Sequence, residues 1–412
     1  MTIRRPPITR PLDGFLVLDL GQIYNGPYAG LQLSFMGARV LKIEPPEGDV
    51  VRRRKREVEP YPLVMLNSNK ESVVLDLKQP RGKEIFLALV EKADVLIENF
   101  AAGVMDRLGL GWDVLSKLNP RLVYGGSSGF GLDGPYRDLA AMDVTIQAMS
   151  GITNATGDAD GPPTKAGAAV CDFLAGIHLC AGILGALVQR ERTGKGQRVE
   201  VAMHEAAATS LASALGAVMD GDQNVPDRTG NRHPALAIAP YNTYRCSDGY
   251  VAIFTSAERH WVSLCEMMGR QDLLQNPEFA TTPGRARHMA EIDDMVGAWT
   301  VGRTKEEILQ ALNEAHIPCA PVKTAREVAY DPHLEARGFW VDTEHPRRGK
   351  TRVPISAIRL HTGGKSEIRR PAPTLGQDTD AALGELLGLK ADELTKLRAA
   401  GVTLPVTERK KA

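Results

Sequence analysis

A single carboxylate, Asp172, interrupts the stretch AGAAVCDFLAGIHLCAGILGALVQ (Ala166–Gln189) and carries the only formal charge among those 24 residues. A buried carboxylate is costly unless it is paired or hydrogen-bonded. An aspartate at the head of an apolar helix therefore has two readings. It can cap the helix, accepting hydrogen bonds from first-turn N–H groups and matching the dipole. It can also be a desolvated carboxylate placed to act as a nucleophile, with its basicity adjusted by the same helix end. The residue types leave both open.

Other motifs carry less chemistry. GGSSG (Gly125–Gly129) has the GxSxG spacing of a nucleophile elbow and follows a strand, yet FGLDGPYRD continues as a loop where an elbow needs a helix. It reads as a flexible loop close to a ligand. HEAAA at His204 lacks the second histidine of a zinc helix, and the remaining histidines are scattered, so no metal site is indicated. The turn GQIYNGP (Gly21–Pro27) lacks the GxGxxG fingerprint, which argues against a nicotinamide dinucleotide with Glu44 as its ribose ligand. RRRKR (Arg52–Arg56) is a dense positive patch after a strand end, either a solvated face or an attractor for a polyphosphate.

These residues hang on an alternation of short β-branched runs and amphipathic segments. FLVLDL (Phe15–Leu20), ARVLKIE (Ala38–Glu44), SVVLDL, DVLIENF and RLVYGGSSGF read as strands, with helices between them ending at Phe35 and covering RGKEIFLALVEKA. Such alternation implies a mostly parallel, doubly wound α/β sheet, whose ligands bind beyond the carboxyl ends of the strands. The loops after Leu20, Glu44, Phe100 and Tyr124 are then the ones to inspect. A long helix from about Asp172 to Arg190 follows, then the strand and small-residue helix of RVEVAMHEAAATSLASALGAVMDG.

The polar, turn-rich DGDQNVPDRTGNRHP marks a boundary. Beyond it a hairpin is predicted around Ser247-Asp248-Gly249, with helices near 257–269, 285–300 and 304–315 and a strand at CAPVK. The tail holds a short strand-like RVPISAI and a closing helix, ADELTKLRAAG.

With 412 residues the chain is long enough for two or three domains. Its 50 basic and 50 acidic residues cancel and aromatics make up 5 %, which is unlike a nucleic-acid surface. Five cysteines, odd in number and without a CxxC pair, fit free thiols in a reducing, cytoplasmic setting. The arginines of MTIRRPPITRPLDG are followed by no apolar run, so no signal peptide is expected. Asp172, His178 and four glycines weaken the apolar stretch as a membrane span, and a central buried helix is the better reading.

Taken together, RPLDGFLVLDLGQIYNGPYAG, GARVLKIEPPEGD, LNSNKESVVLDLK, IENFAAGVMDRLGLG, NPRLVYGGSSGFGLDGPY, DVTIQAMSGITNATGDADGPPTKAGAAVCDFLAGIH, GNRHPALAIAPYNTY and RRPAPTLGQDTD resemble the family III CoA-transferases, the CaiB/BaiF family. The resemblance covers nearly the whole chain in order. It implies a Rossmann-like large domain joined to a smaller α+β domain, in an interlocked homodimer. The corresponding limits are 1–205 for the large CoA-binding domain, 206–230 for a linker, 231–330 for the small domain, and 331–412 for a segment returning to the large domain.

It also implies that Asp172 is the catalytic nucleophile, forming an aspartyl anhydride and then an aspartyl-CoA thioester. Coenzyme A contacts fall on Tyr24, Asn25, Leu75, Asp76, Leu77, Lys78, Asn99, Phe100, Ala101 and Arg107, with Lys78 and Arg107 suited to its phosphates. Acyl-CoA and a carboxylic acid acceptor would be the substrates, with no tightly bound cofactor and no metal. Formyl-CoA transferases of this family carry glutamine where Tyr24 stands and a glycine run where this chain has TGNRHPALAIAP, which argues against formyl-CoA and oxalate. The related racemases place histidine before the aspartate where this chain has Met142 before Asp143, which removes one partner from a two-base proton exchange. An acyl-CoA isomerase using Asp172 as a base, and a non-catalytic acyl-CoA-binding protein, are the competing expectations.

Overall fold

The computed structural model describes residues 9–54, 58–221, 223, 225–362 and 364–403; Lys55 and Arg56 of the basic run lie outside the described residues. The chain divides into two compact units, one holding residues up to Ile146, Ala168–Ala207 and the chain from Pro332 on, the other Gln147–Gly167 and Ala208–Asp331. Relative to the limits read from sequence, the second unit begins at Ala208 and also takes Gln147–Gly167. Within it Arg228 Nη1 donates to the Asn154 carbonyl at 3.2 Å, and the Thr164 N–H donates to the carbonyls of Thr153 and Thr156.

The first unit is built from β1 (Leu16–Asp19), α1 (Asn25–Phe35), β2 (Arg39–Glu44), α2 (Tyr61–Asn67), β3 (Lys70–Val74), α3 (Pro80–Val90), β4 (Val95–Glu98), α4 (Val104–Arg107), α5 (Trp112–Leu118) and β5 (Val123–Ser128). The chain runs through α6 (Asp143–Met149) and α7 (Ile152–Ala155) before returning as α8 (Val170–Thr193) and β6 (Arg198–Ala202). All six strands are parallel, in the order β3-β2-β1-β4-β5-β6. Helices cover both faces, so strand residues such as Val17, Leu18, Leu41, Leu96 and Ile97 are fully buried and the strands read as unbroken apolar runs. Strand order reverses between β1 and β4, and the loops leaving those two strands border the crevice where such folds bind ligands.

One edge of the sheet departs from expectation. The run SVVLDL predicts a strand, but β3 ends at Val74 because the chain's own tail takes over the edge. The Val74 N–H donates to Thr379 Oγ1, the Ser72 N–H to the Asp378 carboxylate, and the Asp76 N–H to the Val402 carbonyl. Leu383, Leu394, Leu397 and Val402 of the tail join the core formed by Leu41, Val73, Leu75 and Phe86. This covering blocks an open strand edge. It also frees Leu75–Lys78 to form a turn, which Gly82 accommodates: a Cβ there would lie 2.1 Å from the Asp76 carbonyl oxygen. The tail strand covers Gly349–Pro354, so it takes in only Arg352, Val353 and Pro354 of RVPISAI, and it pairs antiparallel with Trp340–His345, a strand the sequence does not suggest.

The second unit contains the expected hairpin, with Tyr241–Cys246 against Gly249–Phe254, and Cys319–Pro321 adds a third antiparallel strand. Trp261, Leu264, Ile292, Val296, Ile308 and Leu312 fill its core.

Charges are buried beneath the carboxyl ends of β1 to β3. Lys70 Nζ donates to Asp19 Oδ2 at 2.7 Å and to the Pro27 carbonyl at 2.8 Å, with both ionic side chains fully buried. Burial pulls the Lys70 ammonium down to about 8 against the opposing pull of Asp19. Replacing Lys70 by Met would leave Asp19 without its partner, so Lys70→Met should lower the free energy of unfolding by about 3–5 kcal/mol, measured by urea titration. An unchanged midpoint would show that Asp19 is satisfied without Lys70.

Candidate active site

Asp172 is not the cap of its helix. α8 begins at Val170, and its N-cap residue, Ala169, offers no side-chain acceptor, which places Asp172 third in the helix. The capping acceptor comes from α6: Asp143 Oδ1 receives the N–H groups of Cys171 at 2.9 Å and Asp172 at 3.2 Å. Two of the four N–H groups a helix start leaves orphaned are thus satisfied from 28 and 29 residues away.

The Asp172 carboxylate is therefore free of its own backbone. Its residue is 9 % exposed, and its carboxylate accepts no hydrogen bond among the described residues. Burial, first, and the like charge of Asp143, second, push it up to about 7.

The next residue ties this turn to α1. Phe173 stacks on Tyr24 with ring centres 6.1 Å apart and meets Tyr28 edge-on at 4.8 Å. One turn later a Cβ on Gly176 would lie 2.7 Å from the Asn25 carbonyl oxygen, so only glycine permits this approach of α8 to α1. Asn25 Nδ2 in turn donates to Ser127 Oγ on β5 at 2.8 Å. Tyr24 and Asn25 thus sit beside the Asp172 turn.

A cleft of about 670 Å³ opens at the carboxyl ends of β1 to β4. It gathers Leu75, Asp76, Leu77, Lys78, Phe100 and Arg107 of the residues named from sequence, together with Leu20, Ile43 and Arg53. Apolar walls and three exposed cationic side chains, Arg53, Lys78 and Arg107, suit an extended ligand with apolar and anionic parts. Ala101 lines a smaller cavity that shares Phe100 with the cleft and includes Glu98, Tyr124 and Arg198. There Glu98 accepts the Phe100 N–H at 2.8 Å and the Tyr124 hydroxyl at 3.3 Å, and burial pushes its carboxyl up to about 7. Tyr24, Asn25 and Asn99 line neither space.

The basic run divides. Arg52 turns inward and is held by Glu44 (2.8 and 3.0 Å), Glu59 (3.1 Å) and the Pro373 carbonyl (3.2 Å), so it is neither a solvated face nor a polyphosphate attractor. Glu44 is likewise taken up by Arg52, the Asp49 N–H and Ser72 Oγ. Arg53, signalled by the motif reading only as part of a charge cluster, lines the cleft. Asp143 was noted for the residue that precedes it, and nothing local to it in sequence marks it as the cap of α8.

Residues 12–379 match the family profile described as CoA-transferase family III. The chain is 37 % identical to a formyl-CoA:oxalate CoA-transferase of Streptomyces avermitilis, over 96 % of this chain and 100 % of that protein. It is also 37 % identical to a succinyl-CoA–D-citramalate CoA-transferase of Chloroflexus aurantiacus, over 98 % of this chain and 100 % of that protein. Among solved structures, a CaiB/BaiF family protein from Brucella suis superposes with a TM-score of 0.80 at 33 % identity, covering 92 % of this chain and 99 % of that one. The parallel α/β sheet is shared with it.

A carboxyl raised by burial binds its proton more tightly folded than unfolded. Its contribution to stability is full below the unfolded value near 4 and is lost as pH rises through about 7. Asp172→Asn should therefore stabilise the protein above pH 7 by on the order of 3 kcal/mol, a gain that shrinks as the pH falls toward 4. Thermal unfolding at several pH values checks this; a gain independent of pH would contradict it. Asp143→Asn should lower the Asp172 titration midpoint, read by NMR of the labelled carboxyl carbon, because the like charge is removed.

Proposed function

This chain belongs to CoA-transferase family III, and from that premise we propose that it passes coenzyme A from an acyl-CoA to an acceptor carboxylic acid through covalent intermediates on Asp172. The observation that carries this reading is a buried carboxylate with no hydrogen bond to its oxygens, which leaves the lone pairs available to an incoming carbonyl.

The sequence of steps balances without water. An Asp172 oxygen attacks the thioester carbonyl, the C–S bond breaks, and coenzyme A leaves as thiolate, giving a mixed anhydride. The thiolate attacks the aspartyl carbonyl and expels the donor carboxylate, leaving an aspartyl-CoA thioester. The acceptor carboxylate attacks that thioester, and the thiolate released then attacks the acceptor's acyl carbon in the new anhydride, freeing Asp172. Energy that hydrolysis would dissipate is retained at each stage. A water-poor setting protects the anhydrides, which fits the apolar surroundings of Asp172.

The cleft takes the coenzyme, with Leu75, Leu77 and Phe100 against its apolar portions and Lys78 and Arg107 on its phosphates. The protein works as an interlocked homodimer in the cytoplasm, and coenzyme A enters as substrate rather than as a resident cofactor. A dicarboxylyl donor such as succinyl-CoA is favoured over formyl-CoA because Tyr24 and TGNRHPALAIAP depart from the formyl-transferase pattern. Relatives named for formyl-CoA and for succinyl-CoA stand at the same 37 % identity, so the preference rests on Tyr24 and that segment alone.

Incubation with succinyl-CoA and a panel of carboxylic acids in heavy water, followed by mass spectrometry, tests the reading. A new CoA ester that requires the added acid and carries no deuterium is expected. Deuterium in the recovered acyl group without a new ester would assign Asp172 the role of proton carrier. Asp172→Ala should reduce transfer by about four orders of magnitude while coenzyme A still binds. Lys78→Ala and Arg107→Ala should each raise KM for the acyl-CoA about tenfold with kcat retained, since each removes one charge-assisted contact to a phosphate.

A further inference from the structure

The loop between β1 and α1 contains a backbone conformation that its sequence does not favour. Ile23 has φ +67°, in the left-handed region that a β-branched residue adopts only under constraint. The constraint is visible. The amide of Asn99, in the loop after β4, clamps Gln22 from both sides: Oδ1 accepts the Gln22 N–H at 2.7 Å, and Nδ2 donates to the Gln22 carbonyl at 2.9 Å. The Ile23 N–H faces both oxygens of Asp49 at 3.3 and 3.4 Å. Asp49 is itself held by Lys42 Nζ at 3.1 Å and by the Val51 N–H at 2.9 Å. The Gly21 N–H donates to Asp19 Oδ1 at 2.8 Å, and its carbonyl accepts from Lys42 Nζ.

Every residue from Gly21 to Ile23 is thus fastened by a polar side chain from β1, β2 or the loops after β2 and β4. The very next residues are Tyr24, stacked on Phe173, and Asn25, whose carbonyl packs against Gly176 of the nucleophile helix. We propose that Asn99 and Asp49 are positioning residues that hold Ile23 in its left-handed conformation and so set Tyr24 and Asn25 against the Asp172 turn. Asn99 acts through the backbone of Gln22 and not by touching the coenzyme. Its amide oxygen and one amide N–H face the Gln22 backbone, and it lines neither the cleft nor the smaller cavity. This deepens the transferase reading and rests on it for its catalytic consequence.

The test compares wild type, Asn99→Ala, Ile23→Gly and the double variant, by steady-state transfer kinetics and by amide hydrogen exchange of residues 20–28 in ligand-free protein. Asn99→Ala should lower kcat by about 10- to 100-fold, the penalty of a misplaced reacting group. Its KM for acyl-CoA should stay within about threefold, because no substrate contact is lost. Exchange at Gln22 to Asn25 should quicken. Ile23→Gly in the Asn99→Ala background should restore most of kcat, because glycine holds a positive φ without a clamp.

A rise in KM with kcat retained would make Asn99 a coenzyme contact and overturn the proposal. So would a loss of kcat that glycine does not rescue, or exchange that Asn99→Ala leaves unchanged. If wild type transfers no coenzyme A to any acid, the transferase reading fails on that observation alone. The exchange data then still decide whether the clamp exists.

Discussion

Full burial of opposite charges under the carboxyl edge of the sheet is the constraint on which the site's geometry rests. Asp19, Lys42, Glu44, Asp49 and Lys70 are all nearly or completely inaccessible to water. Desolvating any one of them is costly, and mutual attraction compensates only where partners and hydrogen bonds are all in place. A loop that shifted by one residue would strand an ion. The network therefore singles out one path for the chain from Gly21 to Ile23 and another from Glu44 to Arg52. Lys42 joins the two, since it serves both the Gly21 carbonyl and Asp49. Net stability contributed by such pairs is small compared with what their disruption costs, so their effect is on uniqueness of geometry more than on strength.

Asp172 obeys the same physics with the compensation withheld. Burial alone would raise the Glu44 carboxyl, yet Arg52 beside it brings it down to about 2. At Asp172 no cation among the described residues answers the burial, the like charge of Asp143 adds to it, and the carboxyl rises to about 7. Glu98 rises to the same region through burial, but two donors, the Phe100 N–H and the Tyr124 hydroxyl, occupy its oxygens. Of these three buried carboxylates in one unit, only Asp172 keeps its oxygens unengaged. Stability is forgone at Asp172, the residue to which the proposed transfer assigns the covalent intermediates.

How far this was legible in the sequence depends on whether the decisive partner was local. The parallel sheet, the loops that bear the site and the long apolar helix follow from periodicity, because each strand and helix writes its own burial into its residues. The cap of α8 was not legible. Aspartate in a first turn suggests self-capping, and the true acceptor, Asp143, is 28 residues from the nearer N–H it serves. The end of β3 is not written locally, because the tail, some 300 residues later, claims the backbone of Ser72 and Val74. In RRRKR, adjacent arginines looked alike, and only folding turns Arg52 toward Glu44 while leaving Arg53 at the cleft. The resemblance implies Asn99 as a coenzyme contact, and what its residue type does not show is that its amide both donates to and accepts from the Gln22 backbone.

The composition of α8 follows from the same requirement. By length and apolarity, Val170–Thr193 could cross a membrane, yet half of its most apolar window is buried inside the protein. Leu179, Ile183 and Leu187 pack on Val17, Val95 and Val123 of the sheet, while Gly176 and Gly182 let α1 and Val199 approach its backbone. A cation within hydrogen-bond reach of Asp172 would pair with it and draw its carboxyl back to the ordinary range. The first basic side chain along the helix after His178 is Arg190, about five turns beyond Asp172 and paired with Asp94 at 3.1 Å. The helix start still needs an acceptor, and an anionic one suits its dipole. Asp143 meets that need without bonding the Asp172 oxygens, so one side chain both fixes the backbone of the turn and, through its charge, keeps the carboxylate basic.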